Sequence, residues 1–323
     1  MKERNISIDF LKCIAALLIT NSHMGILYGE YSFLATGGGI GDALFFFCSG
    51  FALLIKPMDG FRQFPNWYKR RINRIYPTMF AVAIIGGLFF KTHWDIIDII
   101  LAKRYWFIPC IMLYYIVIFF VGSYFKDKIL PIGILVAIST AVWFYFVCNI
   151  PGFSIYGGHY IRWLLFFMFM LLGAQTCLMS KDIKSKPAID ICLLFMSLIC
   201  FFVSFIVGLR FNGFVYVQYL SFIPLLCVTF FFYKVGASHC VERLYKSKVG
   251  NFFIRFVGSL CLEIYVVQYF FITDKMNSLF PLNIIITFII ILIAAYLTRC
   301  LARFISQTFK SAPYDWSKII ALY

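Results

Sequence analysis

Charge is what this 323-residue sequence has least of: Asp, Glu, Lys and Arg together make up 13% of it, about half the share usual in a soluble domain. Acidic residues are scarcer still, 14 against 29 Lys and Arg, while 62% of the residues are hydrophobic. So few charges cannot cover a water-facing globule of that composition, which excludes a soluble fold, and the same apolar excess excludes intrinsic disorder. The eleven Cys form no CxxC pair, are odd in number, and lie largely inside apolar runs, as Cys13, Cys48, Cys192, Cys200, Cys227 and Cys261 do. Neither a disulfide scaffold nor a zinc site is implied. The four His show no HxxxH or HExxH spacing, so no metal is expected. Gly37-Gly38-Gly39-Ile40-Gly41 lacks the Gly-Lys-Ser/Thr of a phosphate-binding loop and reads as a tight turn entering an apolar segment. A cleavable signal peptide is not expected, because the first apolar stretch carries Asp9 and Lys12 and has no small-residue cleavage site.

What the sequence has is length without interruption. A helix crossing a bilayer needs about 20 apolar residues, whereas barrel strands alternate and would not produce such runs. Ten runs are candidates, the third of them short, at 8–28, 38–55, 75–90, 105–124, 130–148, 161–179, 188–208, 214–233, 256–273 and 282–301. Residues 96–101, flanked and broken by Asp95 and Asp98, read as an interfacial segment. The expected fold class is therefore all-α: a polytopic membrane protein with about ten transmembrane helices. Residues 1–305 are expected to form the membrane domain and 306–323 a short cytoplasmic tail, with no appended soluble domain expected. Lys and Arg collect in cytoplasmic loops, and with the N-terminus inside, 22 of the 29 fall on the cytoplasmic side against 6 outside. Both termini are thus expected in the cytoplasm. The formal charge of +15 reads as orientation in a lipid bilayer, and no nucleic-acid partner is expected.

Ionisable residues at membrane depth are costly and mark candidate sites. The first run carries Asp9, Lys12 and His23. Eleven helical steps bring Lys12 and His23 onto one face, about 16 Å apart along the axis, and Asp9 lies about 60° from Lys12. A juxtamembrane Asp9–Lys12 pair is the plainer reading of those two. His23 closes the polar patch Thr20-Asn21-Ser22-His23 inside an otherwise apolar helix, which is harder to explain by packing. A second feature is Trp67-Tyr68-Lys69-Arg70-Arg71-Ile72-Asn73-Arg74-Ile75-Tyr76-Pro77, where four basic residues in six exceed what orientation requires. If this stretch is helical, Arg71 and Arg74 are one turn apart, and Arg suits bidentate phosphate contact. A phosphate-bearing cytosolic ligand and an anionic lipid headgroup both fit. Glu263 is a further buried carboxylate, able to pair with Lys12 or His23 or to lock helices together. Tyr105, Trp106, Tyr156, Tyr160 and Trp163 read as an aromatic belt near the outer face.

Taken in order, Asp9-Phe10-Leu11-Lys12 with His23, Gly38-Gly39 running into Leu44-Phe45-Phe46-Phe47-Cys48-Ser49-Gly50-Phe51, and Arg71-Ile72-Asn73-Arg74-Ile75-Tyr76-Pro77 resemble the acyltransferase-3 family of integral membrane O-acyltransferases. Tyr105-Trp106-Phe107-Ile108 and residues 259–265 add weaker matches, so that the resemblance spans nearly the whole chain. Members of the family O-acylate sugars of surface polysaccharides and related acceptors. The resemblance implies that His23 is the essential catalytic residue, that Lys12 helps organise its site with Asp9, and that Arg71 and Arg74, with Arg70 beside them, hold the phosphates of an acyl-coenzyme A. Asn21, Asp42, Ser49, Trp106 and Glu263 are the expected supporting residues, with Asp9, Asp42 or Glu263 orienting the imidazole. Two positions depart from the family pattern: Lys12 stands where Arg is usual, and Gln268 where His often ends the penultimate motif.

The function expected from this resemblance is transfer of an acyl group, acetyl foremost, from cytosolic acetyl-CoA or another acyl-CoA to a hydroxyl of a surface or lipid-linked glycan at the plasma (inner) membrane, without a metal. A histidine near its ordinary pKa of about 6.5 is suited to take the hydroxyl proton. The coenzyme's phosphates dock inside, its pantetheine arm carries the thioester past Lys12 toward His23, and the sugar approaches from outside. The oligomeric state stays open, a homodimer being one option. The alternative is a transporter or flippase using Asp9, Lys12 and Glu263 as a substrate or proton path, against which stands the lack of internal repeats.

Overall fold

The computed structural model describes residues 5–58, 60–150, 152–309 and 312–323; Lys2, Arg4 and Lys310, counted above for orientation, lie outside the described residues. With no water in the bilayer core, each backbone N–H and C=O must be paired within its own segment, which helices alone achieve for isolated apolar runs. The chain follows that rule through α1 (Ile6–His23), α2 (Gly38–Leu54), α3 (Phe64–Phe90), α4 (Ile96–Leu101), α5 (Phe107–Tyr124), α6 (Ile129–Val147), α7 (Ile161–Leu178) and α8 (Pro187–Arg210). It continues through α9 (Val217–Leu220), α10 (Phe222–Gly236), α11 (His239–Lys246), α12 (Lys248–Ser259), α13 (Cys261–Val267), α14 (Leu282–Thr308) and α15 (Trp316–Ile319). No strand occurs among the described residues. The protein is all-α and polytopic.

Each of the ten apolar runs is helical. Among the described residues, eight segments are long and apolar enough to cross a membrane, α12 with α13 makes a ninth if the bent pair is one span, and α2 is a shorter apolar helix of 17 residues. Of the boundaries that differ from the sequence reading, three have a clear local reason. In the first run the α-helix stops at His23 and gives way to 3-10 turns over Met24–Leu34. Asn21 holds that segment folded back: its amide donates to Leu34 O at 2.9 Å and Thr36 O at 3.0 Å, and its Oδ1 accepts from Tyr28 Oη at 2.5 Å. The chain then enters α2 through Gly37, whose φ of 96° is the left-handed turn a glycine favours. In the third run the helix begins at Phe64, well before the apolar residues, because Pro65 in its first turn forfeits no hydrogen bond. The whole basic stretch is thereby helical. In the ninth run, α12 and α13 meet at a break with a 59° bend.

The chain divides into two compact units. The first takes the described residues of Met1–Leu11, Gly39–Phe61 and Ile118–Asn251. Here α8 lies along α10 and α6 along α7. Asp190 of α8 is fully buried and reaches Lys234 Nζ of α10 at 2.6 Å; its other oxygen accepts from Ser185 Oγ (2.9 Å) and Lys186 N (2.7 Å). Gln218, also fully buried, accepts from Ile155 N at 3.2 Å and donates to Gly208 O at 2.9 Å, fixing the loop before α7. The second unit takes Lys12–Gly38, Arg62–Val117 and Phe252–Tyr323. In it α14 lies along α3 and α13, and α13 also touches α3. Residues such as Leu88, Phe146, Phe195 and Ile199 are exposed, as helices bathed in lipid require.

Candidate functional site

His23 is the last residue of α1. Its Nδ1 lies 2.7 Å from Ile19 O, four residues back. A carbonyl only accepts, so this contact assigns the ring proton to Nδ1 and leaves the Nε2 lone pair as the acceptor in the neutral ring. Tyr269 Oη stands 2.8 Å from Nε2 and donates to it. The tyrosine ring also packs edge-on against the imidazole, 5.0 Å between centroids at 79°. Gln268, fully buried, places its Nε2 3.4 Å from His23 Nδ1, while its Oε1 has no hydrogen-bond partner among the described residues. Turning the amide over presents Oε1 to the Nδ1–H as an acceptor. One nitrogen of the ring is thus held by α1 and the start of the 3-10 turn Gln268–Phe270, and the other faces a hydroxyl.

Glu263 lies on α13, the helix that leads directly into Gln268 and Tyr269. An orienting carboxylate for the imidazole was one expectation, but the Glu263 Oε2 pairs instead with Arg299 Nη2 at 3.3 Å, both side chains being buried. Thr78 Oγ1 lies 3.5 Å from the other oxygen, the outer limit of a hydrogen bond. Arg299 also donates from Nη1 to Ser259 Oγ at 2.8 Å and from Nη2 to Ser259 O. Ser259 ends α12, so the guanidinium satisfies backbone that the 59° break would otherwise leave bare. Within this unit the role of holding the imidazole falls to the Ile19 carbonyl and Gln268, while Glu263 and Arg299 hold α12, α13 and α14 together.

Basic side chains collect elsewhere in the same unit. Lys12, half-buried, lies with Arg74, Arg299 and Glu263 within electrostatic reach of the buried Cys261 thiol. Three cations and one carboxylate therefore act on that thiol, and of the three cations Arg299 is the one paired with Glu263. On α3, Arg70 and Arg74 are exposed and Arg71 is half-buried, its guanidinium 4.8 Å from the Trp67 ring centroid and 5.9 Å from that of Tyr115. Such cation–ring contacts restrain the guanidinium without using its N–H donors, which stay available to meet an anion.

The remaining sequence candidates have other surroundings. Asn21 is the staple of the Met24–Leu34 turns described above. Trp106 is half-buried with its ring at right angles to Phe107, 6.1 Å away; the neighbouring Tyr105 is the residue that enters the His23 surroundings. Tyr105 Oη donates to Val266 O at 2.7 Å, and its ring is 5.9 Å from Tyr269 and 5.8 Å from Tyr265. Asp9, Asp42 and Ser49 belong to the other unit. Buried Asp9 accepts from Tyr245 Oη at 3.1 Å, Asp42 is within electrostatic reach of Arg162, and Ser49 is half-buried on α2. No cluster of three or more His, Cys, Asp or Glu that could hold a metal occurs among the described residues.

Arg299, Tyr269 and Tyr105 are the residues that sequence reasoning passed over as site members. The only signal for Tyr269 was its place directly after Gln268, itself noted as a departure from a familiar motif.

No curated protein and no solved structure matches this chain. A family model described as an acyltransferase domain, that of the acyltransferase-3 family, matches residues 5–302 and so takes in His23, the basic stretch of α3, Gln268 and Arg299. With all-α membrane architecture and a match over nearly its whole length, the chain belongs to the acyltransferase-3 family of membrane acyltransferases.

Proposed function

We propose that this membrane acyltransferase moves a small acyl group, acetyl in the first instance, from a cytosolic acyl-coenzyme A to a hydroxyl of a glycan or lipid-linked sugar at the plasma membrane. The observation that carries the reading is the His23 ring: Nδ1 is anchored to Ile19 O, and the Nε2 lone pair faces a hydroxyl at 2.8 Å, the geometry of a general base beside the proton it removes. Nε2 takes the acceptor's proton as its oxygen bonds to the thioester carbonyl carbon; the C–S bond breaks, and the imidazolium returns the proton to the departing thiolate. Arg71, whose guanidinium carbon lies over the rings of Trp67 and Tyr115, and Arg70 and Arg74 on the same helix supply donors suited to the coenzyme's phosphates. Lys12 lies about 16 Å below His23 on α1, a span that an extended pantetheine arm can bridge. The excess of Lys and Arg on one side puts α3's basic end toward the cytoplasm.

A sugar acceptor is supported by the rings around His23. Tyr269, Tyr105 and Tyr265 lie 5.8 to 6.2 Å apart, and Trp94 stacks on Tyr105 at 6.2 Å. Tyr105 and Tyr265 are buried beneath, while Tyr269, 46% exposed, and half-buried Trp94 are the amphipathic rings open to a pyranose. The test is His23→Ala in cells, read by mass spectrometry of the surface and lipid-linked glycans. Loss of one acyl mass step at unchanged protein level is expected; retained acylation would sink the assignment.

A further inference from the structure

Tyr269 stands where the acceptor must go. A general base acts on a hydroxyl within about 2.6–3.2 Å, and at His23 that position is already filled by the Tyr269 hydroxyl, 2.8 Å from Nε2. Because Nδ1 is committed to Ile19 O, Nε2 is the ring's one remaining acceptor, and Tyr269 uses it. The tyrosine is also placed to leave. It sits on the 3-10 turn Gln268–Phe270 and is 46% exposed, in contrast to Gln268 beside it, which is fully buried.

The chemistry makes an occupant at Nε2 consequential. A bare basic nitrogen next to a thioester would activate water as readily as a sugar hydroxyl. The water proton would pass to Nε2 and the water oxygen would bond to the carbonyl carbon. The C–S bond would break and the thiolate would recover the proton, leaving a free acid and the coenzyme thiol with nothing acylated. We propose that Tyr269 is a displaceable cap on the catalytic base, holding Nε2 against water until an acceptor hydroxyl takes its place, and so sets acceptor transfer over hydrolysis. This rests on the acyl-transfer reading of His23.

The experiment uses purified full-length protein, wild type and Tyr269→Phe, the latter keeping the ring and its edge-on packing. Diethyl pyrocarbonate, which carbethoxylates an unprotonated imidazole nitrogen, probes Nε2 with no need of a donor or acceptor, and the His23 peptide is followed by mass spectrometry. Modification of His23 is expected to run about fivefold faster in Tyr269→Phe, the factor one ordinary hydrogen bond supplies; an equal or slower rate overturns the cap. Acetyl-coenzyme A is then supplied without acceptor and thiol release measured. Release is expected to rise several-fold in Tyr269→Phe and to vanish when His23→Ala is added. Unchanged release alongside faster carbethoxylation overturns the guard against water, and a stable acyl adduct on Tyr269 overturns the cap in favour of a nucleophile. Should wild-type protein consume no acyl-coenzyme A even with acceptor, the acyl-transfer reading fails by itself and carbethoxylation alone decides the cap.

Discussion

The Arg299 guanidinium and the Glu263 carboxylate meet at 3.3 Å with 8% and 10% of their side chains exposed, joining α14 to α13 beside the break after Ser259. A buried ion pair is weak evidence of stability as such, but removing one partner strands the other in a medium that cannot solvate it. Arg299→Met is therefore expected to cost on the order of 3–5 kcal/mol, read as a lowered melting temperature in detergent. Arg299→Met combined with Glu263→Met should recover much of that loss. A double variant as unstable as the single one would show that the bond to Ser259, rather than the charge pair, carries the effect.

Gln268 tests how the imidazole is held. It is fully buried and faces Nδ1, not the Nε2 that meets a hydroxyl, so its role is to position the ring. Gln268→Leu keeps the volume and removes the polar contact; kcat should fall by roughly 10- to 100-fold with little change in KM for acyl-coenzyme A, the effect of a displaced base. Gln268→Glu, which restores an acceptor against Nδ1–H, should recover most of the rate. A fall confined to KM would place Gln268 in substrate binding instead.

Arg71 and Arg74 make a different prediction, because charge and geometry can be separated. Lys keeps the charge but loses the bidentate fork and the guanidinium contact over Trp67. Arg71→Lys should raise KM for acyl-coenzyme A about tenfold while kcat stays near wild type, and Arg74→Lys should do so more weakly, since no ring stack among those described holds its exposed side chain. Equal kcat losses in both, with KM unchanged, would put these residues at the reacting centre and contradict the docking role.

How much of this was legible beforehand follows from the physics of each signal. Long apolar runs reveal membrane helices because the bilayer permits little else, so all ten runs proved helical. Their ends were less visible: the stop at His23 depends on Asn21 reaching Leu34 and Thr36, thirteen and fifteen residues on, which no local periodicity records. His23 and the α3 arginines stood out as polar residues in apolar company or as charge beyond what orientation needs. Arg299 was hidden by the same rule, since a basic residue at the end of an apolar run already has an explanation in orientation. It is in fact 7% exposed, with α14 continuing nine residues past it to Thr308. Tyr269 was hidden by numbers: among 20 Tyr and 40 Phe, one more ring carries no information until its hydroxyl is found on Nε2.

Two glycines supply the sharpest test of packing in the other unit. Gly50 on α2 and Gly173 on α7 belong to helices that approach backbone to backbone: a Cβ at Gly50 would overlap Met170 O, and one at Gly173 would overlap Phe47 O. Carbonyl oxygens of a helix cannot swing aside as a side chain can, so either Gly→Ala change must push the two helices apart. Small residues at such crossings are what lets membrane helices pack closely when lipid competes equally well for apolar side chains. Gly173→Ala and Gly50→Ala are expected to abolish accumulation of folded protein in the membrane. Gly133→Ala is the matched control: on α6 it meets nothing within 4 Å, and it should be neutral or stabilising by up to about 1 kcal/mol through helix propensity alone. Accumulation and melting temperature of the three variants in parallel decide the matter, and a Gly173→Ala protein as stable as Gly133→Ala would mean that α2 and α7 do not make this approach.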